Sequence, residues 1–472
     1  MTETLAASAS IATAGSALGR LIRAAVDVRA DGAFAQVHVP APAASPLAWL
    51  AGQRGLPRLF WHGRGEQESV ATLGAALTVG SEAHAPGDLP PHAYVSTASD
   101  LVALSDVLER LGPDAKLWGG LRFDARKQPD GAWNLYQPLR FTLPRFTYTR
   151  HDDGSATLAC ALVLPDDLNR LDAISAQAER LSSAREMDRI RLPVPLERAD
   201  LPGRPTWNRM IASALAAFEK GELEKVVLGR RVTYRFPTPL DAFDLLHQLM
   251  GATPGCFHFY TEHAQNTAFV GASPELLFRL RDGRLQSEAI AGTRPRADAN
   301  EADDLLRREL LDSDKDQREH RYVRHFLEEQ LGRFTTDLES DESPSEMPLA
   351  RGRHLRSRLS GTPQPNTHPV DVLRALHPTP AVGGTPTQAA LAFIREHEPF
   401  DRGRYAAPLG WISRDEAEFA VGIRSGRVEG DTLALYSGAG IVQGSNADAE
   451  WDEIEGKIAN FTSVLGLNPS PK

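Results

Sequence analysis

The sequence predicts an α+β fold in which large antiparallel β-sheets pack together, flanked by helices. Three observations carry this expectation. Short β-branched and aromatic runs follow one another without an intervening helix at 256–290 and again at 418–437. A turn signal, Asp282-Gly283, separates two of these runs. Stretches with apolar residues at helical spacing stand between groups of strands, not between single strands as a parallel α/β sheet requires.

In chain order, the Ala/Ser-rich start MTETLAASASIATAGSALGRLIRAAV lacks the basic segment and apolar run of a secretory signal. It reads as a disordered tail of about 15 residues entering a helix. Candidate strands follow at RLFWHG (58–63), LWGGLRFD (117–124) and TLACALVL (157–164), and then a helix over 164–186. The Pro- and charge-rich RLPVPLERADLPGRP (191–205) reads as a connecting segment. It divides a structural half, 1–203, that completes the sheets from a chemistry-bearing region, 204–466.

Beyond it, Pro205 suits a first helical turn, Ile211, Leu215 and Phe218 follow at helical spacing, and Gly221 stops the helix. KVVLGRRVTYRF (225–236) is apolar on both faces at its start, as in a strand covered on both sides, with Lys225 at the buried end. The runs at 256–260, 267–272, 275–280 and 284–290 predict an antiparallel meander. Two helical stretches and a mobile polar loop around 336–350 precede a second hairpin at 418–437.

Composition excludes several classes. Cys160 and Cys256 are too few and too far apart for a disulfide framework or a metal knuckle, which points to a reducing compartment. No run reaches the roughly 18 apolar residues of a membrane span. A net charge of −10 disfavours nonspecific nucleic-acid binding, so an anionic substrate needs local cations. His320 and His325 do not form an H-E-x-x-H pair, and GASPE (271–275) lacks the G-x-S-x-G spacing of a serine hydrolase.

Charged residues amid apolar runs are the informative ones, because buried charge is costly unless paired or used. Desolvation would make Lys225 a candidate general base, though a lysine beside Glu224 can also reach solvent. Glu275, after Ser273-Pro274, is a candidate general acid or a partnered structural carboxylate. Glu450, Glu453 and Lys457 share one helical face, and Asp312, Asp316 and Glu319 another. Such faces are commonly solvated surfaces, but two of them could gather carboxylates around a hard cation such as magnesium. Arg424, on a strand face with Ala420 and Gly422, is shaped to bind a carboxylate beside the close backbone of SGAGIV (437–442).

In order along about 205–465, KVVLGR (225–230), GASPELL (271–277), AIAGTRPR (289–296), REH (318–320), LHPTPAVGG (376–384), EPFDRGRYAAPLGW (398–411) and GAGIV with its E-W-D-E helix resemble the chorismate-utilising enzymes. The resemblance implies magnesium, held by Glu319 and Glu453 with Glu450 acting through water and Asp316 beside them. It implies that Arg424, Tyr405, Lys457, Gly438 and Gly440 hold the enolpyruvyl carboxylate of chorismate. Gly292 and Thr293 position the ring, and His354 and Ala381 complete the pocket.

Within the family, a lysine at the Lys225 position activates water where ammonia-using members carry glutamine. Ala291 stands where aminodeoxychorismate synthases carry a nucleophilic lysine. The expected reaction is therefore chorismate to isochorismate, with Lys225 as base and Glu275 as acid. Ala381 disfavours the salicylate synthases, which tend to carry threonine there; a noncatalytic chorismate-binding subunit is the remote alternative. The resemblance further implies a cytoplasmic monomer without a glutaminase subunit, serving either menaquinone or siderophore biosynthesis.

Overall fold

The computed structural model describes residues 10–24, 33–66, 68–80, 101–127, 129–134, 136–187, 191–297 and 300–467. The first part of the chain forms α1 (Ile11–Ala24), β1 (Phe34–Ala41), α2 (Pro46–Ala51), β2 (Arg58–His62), β3 (Ser69–Val79), α3 (Leu101–Leu111), β4 (Leu117–Leu121), β5 (Leu139–Arg150), β6 (Ala156–Val163), α4 (Leu171–Glu179) and β7 (Glu197–Leu201). Then come α5 (Arg204–Glu219), β8 (Lys225–Arg235), α6 (Ala242–Ala252), β9 (Phe257–Ala264), β10 (Thr267–Ser273), β11 (Leu276–Arg281), β12 (Arg284–Pro295), α7 (Asn300–Asp312) and α8 (Asp314–Gly332). The last part holds β13 (Glu339–Ser340), β14 (Ser345–Pro348), β15 (Gly352–Gly361), α9 (Pro369–Leu376), β16 (Gly384–Thr385), α10 (Thr387–His397), β17 (Pro408–Ile412), β18 (Ala417–Val421), β19 (Ser425–Glu429), β20 (Thr432–Val442) and α11 (Ala447–Val464).

All strand pairings are antiparallel, and the long β5 is where the sheet forks. One edge of β5 pairs with β3; the other pairs with β6 along Phe146–Arg150 and with β4 along Leu139–Thr142. From β3 one arm runs through β2, β9, β10, β19 and β20 to β8. From β4 the other runs through β17, β18, β11 and β12 to β15. Strands from the first part of the chain are thus stitched into both arms.

Period-2 alternation sorts side chains between two apolar cores. Leu59 and Trp61 of β2 join one cluster with Trp118, Phe259, Phe278 and Phe419, whereas Phe60 joins another with residues of α1, α2, α4 and α6. Burial on both faces explains why these strands read as continuous apolar runs.

The structure corrects several expectations. Residues 1–9 of the expected tail lie outside the described residues, but α1 already begins at Ile11, where Ile11, Ala14, Leu18 and Ile22 form a buried stripe. The helix expected over 164–186 shrinks to α4. Its beginning is a turn built around buried Asp167, which accepts from the Val163 N–H and pairs with Arg145 at 2.7 Å. The polar loop at 336–350 contains the two short strands β13 and β14, each paired to β15.

The expected meander is two hairpins. β10 pairs with β9 and β19, while β11 pairs with β12 and β18, so the chain crosses between arms at Ser273-Pro274-Glu275. The expected hairpin at 418–437 is likewise broken. The chain crosses back between β18 and β19 at Gly422–Arg424, where Arg424 takes φ +49°. Arg424 therefore does not share a strand face with Ala420 and Gly422. The two crossings are bonded to each other: the Val421 N–H donates to the Glu275 carbonyl at 3.1 Å and the Ala272 N–H to the Arg424 carbonyl at 3.0 Å.

Candidate functional site

Lys225 opens β8 with backbone partners on both sides, Val442 of β20 and Thr385 of β16. It is fully buried. Its Nζ lies 3.1 Å from Glu319 Oε1 on α8, so it does not reach out to solvent.

Glu275 sits at the first crossing, where Pro274 can donate nothing to a ladder. Its N–H is held by Ser273 Oγ at 3.2 Å. Its carboxyl is pushed up to about 8, mainly by burial; Lys225 pulls the other way and Glu288 adds repulsion. At neutral pH it carries a proton it can give.

The acidic helices come together only in part. α7 ends at Asp312 and α8 begins at Asp314, because the Ser313 side chain caps the new helix by accepting from the Asp316 N–H at 3.2 Å. Asp312 therefore does not share a helix face with Asp316 and Glu319. Asp316 pairs with Arg294 at 2.7 Å. On α11, Lys457 bridges Glu453 at 2.6 Å and the Gly438 carbonyl at 2.9 Å.

Each carboxylate proposed as a metal ligand faces a lysine: Glu319 meets Lys225, Glu453 meets Lys457 and Glu450 meets Lys315. Among the described residues no three His, Cys, Asp or Glu side chains form a ready cage. Electrostatically they are one unit, since Lys315 feels Glu450, Glu453 and Glu319 together and is raised by them against the lowering effect of burial. Burial and Glu453 raise Glu450, whose Oε2 is buried without a hydrogen-bond partner. Burial also opposes ionisation of Glu453, but Lys457 holds it below the usual carboxylate range. An orphaned carboxylate oxygen beside two more carboxylates is a donor set that fits a hard divalent cation.

Around the second crossing, Arg424 donates to the Lys457 carbonyl at 2.8 Å and stands 3.4 Å from His354 Nε2. His354 Nδ1 lies 3.0 Å from the Gly292 carbonyl and 3.1 Å from Thr293 Oγ1. Burial, with Arg424 beside it, depresses His354 to about 3, so the ring is neutral. Three glycines make close approaches possible. A Cβ on Gly438 would lie 2.8 Å from the Tyr405 hydroxyl, one on Gly440 1.9 Å from Glu319 Oε1, and Gly292 needs φ +74° against Asp316.

A cavity of about 70 Å³ is lined by Glu275, Gly292, Thr293, Glu319, His354, Ala381, Tyr405, Arg424, Gly438, Gly440, Glu453 and Lys457. Pro274, Thr293, Arg424 and Glu453 also line an adjoining cleft of about 1260 Å³, whose wall includes Glu450 and Lys315. Lys225 stands behind Glu319, and Glu450 faces the cleft alone. The structure therefore brings most of the candidate residues to one place.

Sequence reasoning missed the supports. Arg64 donates to the Pro274 carbonyl and pairs with Glu288 at 2.6 Å, fixing the Glu275 turn from the first part of the chain. Buried Arg402 pairs with Glu398 and donates to the Val382 and Val227 carbonyls at 2.8 Å each. The spacing of Glu398 and Arg402 in EPFDR was an available signal. Lys315 carried none, because its contact with Glu450 joins two distant helices.

Comparison with known proteins places this geometry. The chorismate binding enzyme family matches residues 21–466. Isochorismate synthase MenF of Escherichia coli K12 is 32% identical over 442 residues, covering 91% of this chain and 94% of the relative. The salicylate biosynthesis isochorismate synthase of Pseudomonas aeruginosa is 31% identical over 437 residues, covering 89% and 87%. The solved structure of E. coli MenF, the menaquinone-specific isochorismate synthase, superposes with TM-score 0.79 at 29% identity, covering 95% of this chain and 99% of the other. Anthranilate synthase component I of Streptococcus pneumoniae, at 18% identity and TM-score 0.64, shares the fold. With every family motif folded around a single cavity and the match running nearly end to end, the chain belongs to the chorismate-binding enzyme family.

Proposed function

We propose that this chain is an isochorismate synthase, an isomerase that converts chorismate to isochorismate. The observation that carries the reading is the pairing of a buried lysine with a buried, protonated carboxyl at one cavity: Glu275 lines it, and Lys225 stands against its Glu319 wall. Relatives named isochorismate synthases, aligned over most of the chain, support it.

In this mechanism Lys225 takes a proton from water as the water oxygen bonds to C2 of the ring. The ring double bonds shift, the C4–O bond breaks, and Glu275 protonates the departing hydroxyl, which leaves as water. Water enters and water leaves, so the reaction is an isomerisation. Solvent then restores both protonation states. Arg424, Tyr405, Lys457 and the Gly438 and Gly440 backbone hold the enolpyruvyl carboxylate; Gly292, Thr293 and His354 set the ring.

Magnesium fits as the cofactor. Glu319 and Glu453 would hold it, with Glu450 through water, and bound there it would neutralise the ring carboxylate. The protein's own part is to release Glu319 and Glu453 from Lys225 and Lys457. We further propose a cytoplasmic monomer working without a glutaminase subunit; among the described residues no helix is long and apolar enough to cross a membrane.

The test is to incubate the purified protein with chorismate and magnesium, with a chelated control, and separate the products. Isochorismate without pyruvate, lost on chelation, supports the proposal. Salicylate with pyruvate would establish the lyase instead, and turnover only with ammonia would remove Lys225 from its role.

A further inference from the structure

Away from the cavity, the fold buries a guanidinium that no described residue neutralises. Arg404 is 1% exposed, and none of its three nitrogens has a hydrogen-bond partner among the described residues. It makes no ion pair there; its recorded contact is with the face of the Tyr136 ring, 5.5 Å from the centroid. The same spot collects more polar groups without hydrogen-bond partners, one nitrogen of the neutral His263 ring being a donor. The Tyr136 hydroxyl and both ring nitrogens of His263 are buried and unpartnered, and the two rings lie 5.3 Å apart. Arg140 adds a second positive charge close enough to act on both Arg404 and His263.

Among the described residues, two nearby acids are already engaged. Glu262 is bound by Arg58 and by the Tyr260 hydroxyl at 2.7 Å, and Glu429 is paired with Arg427 at 2.6 Å. Burying a cation without a counter-charge is costly, and water supplies acceptors but no charge. Burial already depresses Arg404 to about 10, with Arg140 opposing its charge further.

We propose that Arg404, Tyr136 and His263 form an interior binding site for a small inorganic monoanion, of which chloride is the type. A single acceptor atom with a full negative charge is what guanidinium N–H, phenol O–H and imidazole N–H groups share as a partner. The surroundings are closely packed. A Cβ on Gly120 would stand 2.8 Å from an Arg404 nitrogen, and one on Gly403 would strike the Trp133 ring at 1.9 Å. The anion fixes the RGRY segment from behind, so it acts one residue away from Tyr405 of the cavity. The site is independent of the reaction proposed above.

Two measurements decide it. Crystals of the full chain soaked in bromide give an anomalous peak within hydrogen-bonding distance of the Arg404 guanidinium. In solution, the unfolding temperature rises saturably when chloride replaces gluconate at constant ionic strength, and the Arg404→Met variant loses that response. Waters alone at the guanidinium, or a carboxylate of the chain there, would overturn the proposal. So would bromide at the site without any anion-specific stabilisation, which would mark an adventitious ion only. If Arg404→Met does not fold, the two wild-type measurements still decide.

Discussion

Lys225 and Glu319 meet at 3.1 Å across the backbone of Gly440, and the absence of a side chain there is what lets them meet. A Cβ on Gly440 would lie 1.9 Å from Glu319 Oε1 and 3.3 Å from Lys225 Cε. The Gly440→Ala variant should fold, since this glycine is not among those with positive φ. It should lose turnover by about 100-fold, the scale of a 1 Å displacement of a reacting group. Steady-state kinetics beside a circular dichroism spectrum checks this; near-wild-type turnover would mean that the pair is not needed in this geometry.

With Glu275 as the proposed acid, its ionisation should set the alkaline limit of activity. Its carboxyl is raised from the ordinary 4.5 to about 8, so it can donate below that pH and cannot above it. The rate should fall as pH rises through about 8, and Glu275→Gln should abolish that limb along with a factor of roughly 100 to 10,000 in rate. Stability follows the same sign. The raised value favours the fold below pH 4.5, and this contribution is lost as pH climbs through 8. The glutamine variant should therefore melt higher than wild type in alkaline buffer.

Arg402 and Glu398 are both buried; Arg402 also holds two backbone carbonyls, and Glu398 accepts from the Gly229 N–H at 2.6 Å. Removing one partner strands the other. Arg402→Met should cost about 3 to 5 kcal/mol in denaturant unfolding, and Glu398→Gln should cost less because the amide keeps an acceptor. Equal and negligible losses would show that solvent reaches the pair.

Arg64 tests whether the first part of the chain serves the chemistry. Arg64→Ala removes the bond to the Pro274 carbonyl and leaves Glu288, next to the acid, with only its longer contact to Arg356 at 3.6 Å. Turnover should drop about tenfold or more with KM little changed, because the substrate's carboxylate contacts stay intact. A change confined to KM would contradict this role.

What could be read in the sequence was what local chemistry decides. The Asp282-Gly283 turn, the strand opened by Lys225, and the shared face of Glu450, Glu453 and Lys457 all depend on neighbours a few residues away. The crossings at Pro274 and Gly422–Arg424 were illegible because both arms are covered on both faces, so an apolar run does not reveal where it changes sheets. Ser313 did carry a capping signal three residues before Asp316, but the continuous charge pattern masked it. Lys225 against Glu319, Lys315 against Glu450, and Arg64 under Glu275 are tertiary contacts that no periodicity announces.

The fork at β5 also has a bearing on how the protein is made. Arg58 of β2 finds Glu262 across 204 residues of chain, and Trp61 donates to Glu418 across 357. At ribosomal speeds of about 5 to 20 residues per second, the partner of β2 emerges roughly 10 to 40 s after β2 itself. Through that interval an apolar strand waits with an open edge. Native pairing in both arms comes late in synthesis, which makes the nascent chain a natural client for chaperones and its yield sensitive to the pace of translation.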